Sequence, residues 1–229
     1  HITHEIRTPV TLILAPVEEI MRQKNIPEEI RDDLEVVKRN SERLLDLVNQ
    51  ILDFTKAEQE AFSSQNTWFD IDDLVEKTVQ RFTPAAQQKG IQLSHDTPQP
   101  IRICTDREAL TKVLSNLLTN AMKFTKDRIL VSLTENPEAH TVTISVEDNG
   151  TGIKPTEKEK IFNLFYQSAN KPQLPNKGFG IGLAIVSLLM KRMMGKIEVE
   201  SEENRFTRFR ITLPQDEQND LSISVTSPD

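Results

Sequence analysis

Apolar and small residues in the first 59 positions recur in steps of four and three. Toward the end of this stretch they are Ile30, Leu34, Val37, Ser41, Leu44, Val48, Ile51 and Thr55. That spacing is a heptad seam and predicts a long amphipathic helix. Ile6, Val10, Ile13, Val17 and Ile20 repeat the spacing and predict a helix before it. Residues 23–27 between them are few and polar, so the two helices are expected to pack antiparallel. Two amphipathic helices cannot bury their stripes alone. Pairing two copies into a four-helix bundle would solve this, so a homodimer is expected.

The pattern changes at residue 70. Residues 60–69 are polar, with Ser63, Ser64 and Asn66, and read as a linker. A helix is predicted over 71–89, stopped by Gly90. Strands are predicted at 91–94, 101–104, 129–134, 141–147, 196–200 and 206–213, with helices at 107–124 and 181–194 among them. Strands and helices mixed without strict alternation predict an α+β fold, a sandwich of sheet and helices. The expected organisation is a helical hairpin over 1–62, a sandwich domain over 63–214 and a tail over 215–229. The tail is polar and aperiodic, so it is expected to be mobile.

Composition narrows the class. Of 229 residues, 37% are hydrophobic and 28% charged, which suits one or two soluble domains. A net charge of -7 argues against a nucleic-acid surface, which needs clustered Lys and Arg. Cys104 is the single cysteine, so no internal disulfide can form, in keeping with a reducing compartment. No run approaches 18 apolar residues, and no signal peptide is evident, so no membrane contact is expected of this stretch. The chain opens at His1 within a predicted helix and reads as part of something longer.

The chemistry sits in short motifs. Only seven glycines are present, and Gly150, Gly152, Gly178, Gly180 and Gly182 fall in two of these motifs. Glycine concentrated this way implies close backbone approach at two places. The first motif is His4-Glu5-Ile6-Arg7-Thr8-Pro9. His4 lies two residues before the seam position Ile6, about 200° around a helix, and so on the exposed side. An exposed imidazole can be a nucleophile, and Glu5 can hold its reactive tautomer. Thr8 lies one turn on, on the same face, and Pro9 should kink the helix. An ordinary surface histidine fits these residues as well. A zinc-protease His-Glu-x-x-His is excluded, because Thr8 stands where the second histidine would be.

Asn116, Asn120 and Lys123 fall at i, i+4 and i+7 on one face of the helix over 107–124. Amide oxygens at that spacing can hold Mg²⁺, and a lysine can meet phosphate oxygens; a solvated polar face is the plainer alternative. Asp148-Asn149-Gly150-Thr151-Gly152 follows a predicted strand. A carboxylate there can accept from an exocyclic amine such as that of adenine, with the glycines turning the chain around the base. The plain alternative is an Asp-Asn-Gly turn. Gly178-Phe179-Gly180-Ile181-Gly182-Leu183 opens a helix, whose amides can bind phosphate, although no P-loop lysine follows. Phe162, Phe165 and Tyr166 would ordinarily be core residues. Residues 171–177 hold two prolines and no apolar period, and read as a lid.

In order and spacing these motifs resemble the catalytic core of sensor histidine kinases of two-component signalling, over about residues 1–214. The first looks like the phosphoacceptor box. Residues 116–123 resemble the N box, 148–152 the G1 box, 161–166 the F box and 178–183 the G2 box. The resemblance implies a Bergerat-type ATPase domain, shared with gyrase-type ATPases, behind a dimerisation hairpin. It implies ATP and Mg²⁺ as ligands and autophosphorylation of His4, with Glu5 as its base. Asn120 would be the main Mg²⁺ ligand, helped by Asn116, with Lys123 facing phosphate and Asp148 reading adenine. Gly150, Gly152, Ile153, Phe165, Gly178, Gly180, Gly182 and Leu183 would complete the nucleotide site. Thr8 matches the residue that positions water when such kinases dephosphorylate their partner. That partner would be a response regulator or an attached receiver domain. Thr11-Leu12-Ile13-Leu14-Ala15-Pro16 further resembles hybrid sensors, which implies the cytoplasmic portion of an inner-membrane protein.

Three departures stand out. Phe179 occupies a place usually held by Ser or Thr, Met194-Gly195 replaces a common Gly-Gly, and the first helix starts only about one turn before His4. An ATPase of the same fold and a degenerate scaffold without phosphotransfer are the rival readings. The first would have no use for an exposed His-Glu-x-x-Thr-Pro. The second is opposed by the intact Asn116, Asn120 and Asp148.

Overall fold

The four-three spacing of the first 59 residues folds into two helices, α1 (Ile2–Met21) and α2 (Glu28–Gln59). The computed structural model describes residues 2–23, 25–59, 65–97, 100–168 and 178–215, with backbone alone for residues 2–7 and 59. These divide into two compact units, residues 1–63 with 159–188 and residues 64–158 with 189–229.

In the first unit α1 and α2 pack on each other, and Lys38 reaches across to Glu18 at 3.3 Å. Glu28 and Glu29 occupy the first turn of α2 and Lys56 its last, each complementing the helix dipole. The seam separates into two columns. Val10, Val17, Ser41 and Val48 are buried, whereas Ile13, Ile20, Val37, Leu44 and Ile51 are exposed. One column therefore closes the hairpin and the other is left exposed among the described residues. Helix α1 runs unbroken through Pro9 and Pro16. Pro9 removes one helical bond without ending the helix.

The second unit begins with a correction. Residues 66–69 are not linker: Asn66–Asp70 forms strand β1, antiparallel to β3 (Arg102–Asp106), with Trp68 opposite Cys104. The polar composition hid this strand, because only Phe69 of its five residues is buried. Helix α3 (Ile71–Gln88) follows. It ends as expected at Gly90, whose φ of 68° supplies the left-handed residue, and Ile91 N–H donates to Ala86 O at 2.9 Å.

Strands β2 (Gln92–Asp96), β4 (Arg128–Asn136), β5 (Thr141–Asp148), β6 (Lys196–Glu202) and β7 (Phe206–Pro214) form one sheet in the order β2-β4-β5-β7-β6. Only the β2–β4 pair is parallel. Burial alternates strictly along β5 and β7, so one sheet face is apolar. Helices α3 and α4 (Arg107–Phe124) pack against strands of this sheet. Leu110, Leu114, Leu117 and Leu118 of α4 are fully buried, at about 1.5–3 kcal/mol each. This arrangement is the α+β sandwich expected.

Helix α5 (Gly182–Arg192) is shorter than the predicted 181–194. Met194 has φ 54°, and Gly195 N–H donates back to Met190 O at 2.8 Å, so the chain turns out of the helix here. Gln215, placed in the tail by sequence, is tied down: its side chain meets Arg102 O at 3.2 Å and Glu135 Oε1 at 2.7 Å. The rest of the expected tail, 216–229, lies outside the described residues.

Candidate functional site

Helix α4 starts on a strong cap. The Asp106 carboxylate accepts Ala109 N–H at 2.9 Å and forms a buried ion pair with Arg192. With its leucines inward, the helix turns Asn116, Asn120 and Lys123 to a half-buried face. Asn116 Nδ2 donates to Lys112 O at 2.9 Å, which directs the amide oxygen away from the helix backbone. The Lys123 ammonium lies 5.2 Å from the Phe124 ring centroid.

Strand β5 ends at Asp148, which is only 4% exposed, and its Oδ1 accepts Gly150 N–H at 2.9 Å. The turn after it is pressed onto the end of α4. Thr151 N–H donates to Phe124 O at 3.3 Å, and a Cβ on Gly150 would lie 2.0 Å from that same oxygen. On the other side Asn204 N–H donates to Thr151 O at 2.8 Å, and Ile153 N–H to Ser201 Oγ at 2.8 Å. Gly152 has φ 66°, and its Cβ would lie 2.1 Å from Glu202 O. The two glycines therefore admit the protein's own backbone, from α4 and from the β6–β7 hairpin. The sequence pointed both to close backbone approach and to a turn around a base; the structure shows the close approach.

A second group lies in the other unit. Phe165 has φ 63°, its ring is 57% exposed, and its N–H donates to Gly180 O at 2.9 Å. It is not the core residue its type suggested. Gly180 has φ 76°, and a Cβ there would lie 2.5 Å from Tyr166 O. Residues 165–166 and Gly180 are thus interlocked through backbone. Gly182 opens α5 as expected, with Gly178, Phe179 and Leu183 half-buried beside it.

So Asn116, Asn120, Lys123, Asp148, Gly150, Gly152 and Ile153 fall in one unit. His4, Glu5, Thr8, Phe165, Gly178, Gly180, Gly182 and Leu183 fall in the other. His4 and Glu5 lie on α1, but their side chains are outside the described residues, as is the expected lid at 171–177. Thr8 is exposed. Sequence reasoning passed over Asn149, Thr125, Ser201 and Asn204, which hold the 148–153 segment in place. Asn149 carried only a turn signal, and the β6–β7 hairpin carried none.

The face of the sheet bearing Glu147, Arg208 and Arg210 forms an open groove of about 870 Å³. Its charges are paired. The Arg210 guanidinium, hydrogen-bonded to Glu200, holds that carboxyl below its ordinary range, and Glu147 raises Arg208. This is a solvated face, and no motif residue lines it. Among the described residues no cluster of three or more His, Cys, Asp or Glu could hold a metal. A divalent ion here would need amide and phosphate oxygens. Asn116 and Asn120 supply two such amides one turn apart on α4.

Residues 105–217 match the family of histidine kinase-, DNA gyrase B- and HSP90-like ATPases, and residues 1–60 match the His Kinase A (phospho-acceptor) domain. The chain is 31% identical to sensor histidine kinase YcbM of Bacillus subtilis, over 93% of this chain and 69% of YcbM. It is 34% identical to sensor protein EvgS of Escherichia coli K12, covering 18% of that longer protein. It is 33% identical to the autoinducer 2 sensor kinase/phosphatase LuxQ of Vibrio cholerae, covering 25% of it. Full-length ShkA in complex with AMPPNP superposes with a TM-score of 0.78 at 29% identity, over 93% of this chain and 44% of ShkA. Histidine kinase AdeS of Acinetobacter baumannii shares the fold with a TM-score of 0.67 at 22% identity, over 93% and 98% of the two chains. An ATP-binding domain of the gyrase type, joined to a phosphoacceptor hairpin in the order the motifs predicted, makes this chain a member of the sensor histidine kinase family.

Proposed function

We propose that this chain binds ATP·Mg²⁺ and transfers the γ-phosphoryl group to His4, and from there to an aspartate of a response regulator or receiver domain. What supports the nucleotide half is the packing of the 148–153 turn against the end of α4. One unit thereby carries an adenine-reading carboxylate beside the helix of Asn116, Asn120 and Lys123. Asp148 accepts from the adenine amine and Lys123 meets the phosphates. The amide oxygens of Asn120 and Asn116 would hold Mg²⁺, whose charge offsets that of the phosphate oxygens. The amides at the start of α5, after Gly178 and Gly180, favour phosphate negative charge.

In the forward reaction an imidazole nitrogen of His4 attacks the γ-phosphorus in line. The bond to the β–γ bridging oxygen breaks and ADP leaves. Glu5 takes the proton from the other ring nitrogen. Positioning and electrostatics carry most of such a step. Thr8 is exposed one turn beyond His4. There it directs water onto the aspartyl phosphate in the reverse, phosphatase reaction. We assign residues 1–62 to dimerisation and phosphotransfer, 63–214 to nucleotide binding and 215–229 to a tail. The uncovered column of Ile13, Ile20, Val37, Leu44 and Ile51 faces a second copy in a homodimer. The regulator docks on the bundle near His4. The whole protein is proposed to be membrane-anchored, with this portion on the cytoplasmic side; no described helix is long and apolar enough to cross a membrane.

The test is labelling from γ-labelled ATP. An acid-labile, alkali-stable label is expected on the wild-type chain and none on His4→Gln, with ATP affinity within about threefold. A label that persists on His4→Gln overturns the assignment. ATP turnover without any label favours a plain ATPase, and no nucleotide binding at all favours a scaffold.

A further inference from the structure

Asn149 lies between Asp148 and Gly150, and nothing in the proposed chemistry uses it. Yet its side chain is among the most heavily bonded in the second unit. Oδ1 accepts Arg128 N–H at 3.0 Å and Asp127 N–H at 3.3 Å, and lies 3.0 Å from Thr125 Oγ1. Nδ2 donates to Asp127 Oδ1 at 2.7 Å. Its backbone N–H donates to Arg128 O at 3.3 Å. Thr125 completes the network: its hydroxyl lies 2.9 Å from Arg128 O and accepts Arg128 N–H at 3.2 Å.

An asparagine chosen only for its turn conformation would bond locally. This one bonds residues more than twenty positions away. The loop it closes, residues 125–128, begins at the C-cap of α4 and ends at the start of β4. The other side of the turn is fastened to the same helix end, where Phe124 O meets Gly150 and Thr151. The last turns of α4 carry Asn120 and Lys123, and the residue before Asn149 is Asp148. The carboxamide thus helps to set the distance between the end of α4 and the turn that begins at Asp148.

We propose that Asn149 is a positioning residue, which holds the Asp148 carboxylate in register with Asn120 and Lys123 so that one nucleotide meets both. This rests on the reading that Asp148 takes the base and that α4 takes the phosphates. Base and phosphates belong to one covalently linked ligand, so a shift of about 1 Å between the halves weakens only a ligand that must meet both at once. Adenosine, which has no phosphates, does not span them.

The experiment compares the Kd of ATP·Mg²⁺ and of adenosine on the intact chain, by calorimetry and by NMR titration. Asn149→Ala is expected to weaken ATP·Mg²⁺ by about tenfold or more and adenosine by less than about threefold. Unfolding of part of the protein lowers the number of sites and not the Kd. Equal weakening of both ligands, or an unchanged ATP Kd, overturns the proposal. Should Asn149→Ala fail to fold, the exchange Asn149→Asp with Asp127→Asn decides, because it reverses donor and acceptor at the 2.7 Å contact. The double variant is expected to bind ATP·Mg²⁺ at least about fivefold more tightly than Asn149→Asp alone, and no recovery overturns the proposal. Asp148→Asn separates the underlying reading. If it leaves adenosine affinity unchanged, the base site itself is wrongly placed and this proposal falls with it. If it weakens adenosine while Asn149→Ala weakens both ligands alike, only the role of Asn149 falls.

Discussion

Replacing Asp148 by asparagine changes one atom, and the structure fixes which way the new amide must face. Asp148 Oδ1 accepts Gly150 N–H at 2.9 Å, and the side chain is 4% exposed. An asparagine there must keep its oxygen toward Gly150, since turning its NH₂ that way would set donor against donor in a buried place. The second position therefore becomes a donor. On the proposed function, a base amine that met a carboxylate oxygen now meets an N–H, and a charge-assisted hydrogen bond is lost. Such bonds contribute about 1.5–3 kcal/mol, so ATP affinity is expected to fall about 10- to 100-fold. The Gly150 contact survives, so the turn and its packing on Phe124 should hold and the thermal transition should move little. Guanine nucleotides, which present a carbonyl where adenine has its amine, should lose less than ATP or gain. Calorimetry with ATP and GTP on both proteins reads all of this. An ATP Kd within about threefold of wild type would refute the reasoning, because an asparagine that keeps its oxygen on Gly150 N–H turns its NH₂, a donor, toward the base amine.

Other outcomes follow from the same geometry. Thr8→Ala should leave autophosphorylation within a few-fold but slow regulator dephosphorylation by more than about tenfold, measured as decay of the phosphorylated regulator with ADP present; equal decay rates would make Thr8 merely structural. Val37→Lys places a charge in the uncovered column of α2 and should convert a dimer to monomer by light scattering, whereas Glu35→Lys on the same helix should not. Met194 is 79% exposed with φ 54°, so Met194→Gly relieves backbone strain without losing packing and should stabilise the second unit by about 1 kcal/mol in denaturant titration.

The sequence alone determined the elements whose signal is periodic. The seam of α1 and α2, the stripe of α4 and the alternation of β5 and β7 were legible because burying one face imposes a period on the chain. It also marked the candidate motif residues, because the chemistry proposed for them needs particular types at particular spacing. It could not tell β1 from a linker: an edge strand with one buried residue leaves almost no periodic trace. It called for a second copy to cover the hairpin stripes but could not tell which residues stay exposed, since both columns of a heptad look alike until a partner helix covers one of them. The glycines announced close backbone approach, but the segments that approach Gly150 and Gly152 were hidden. A φ requirement or a missing Cβ can be read as a turn, but Phe124 O at 2.0 Å and Glu202 O at 2.1 Å come from segments 26 and 50 residues away. The role of Asn149 depends on the same kind of fact. Hydrogen bonds between distant segments are decided by how the elements pack, and only the tertiary structure brings their donors and acceptors within reach.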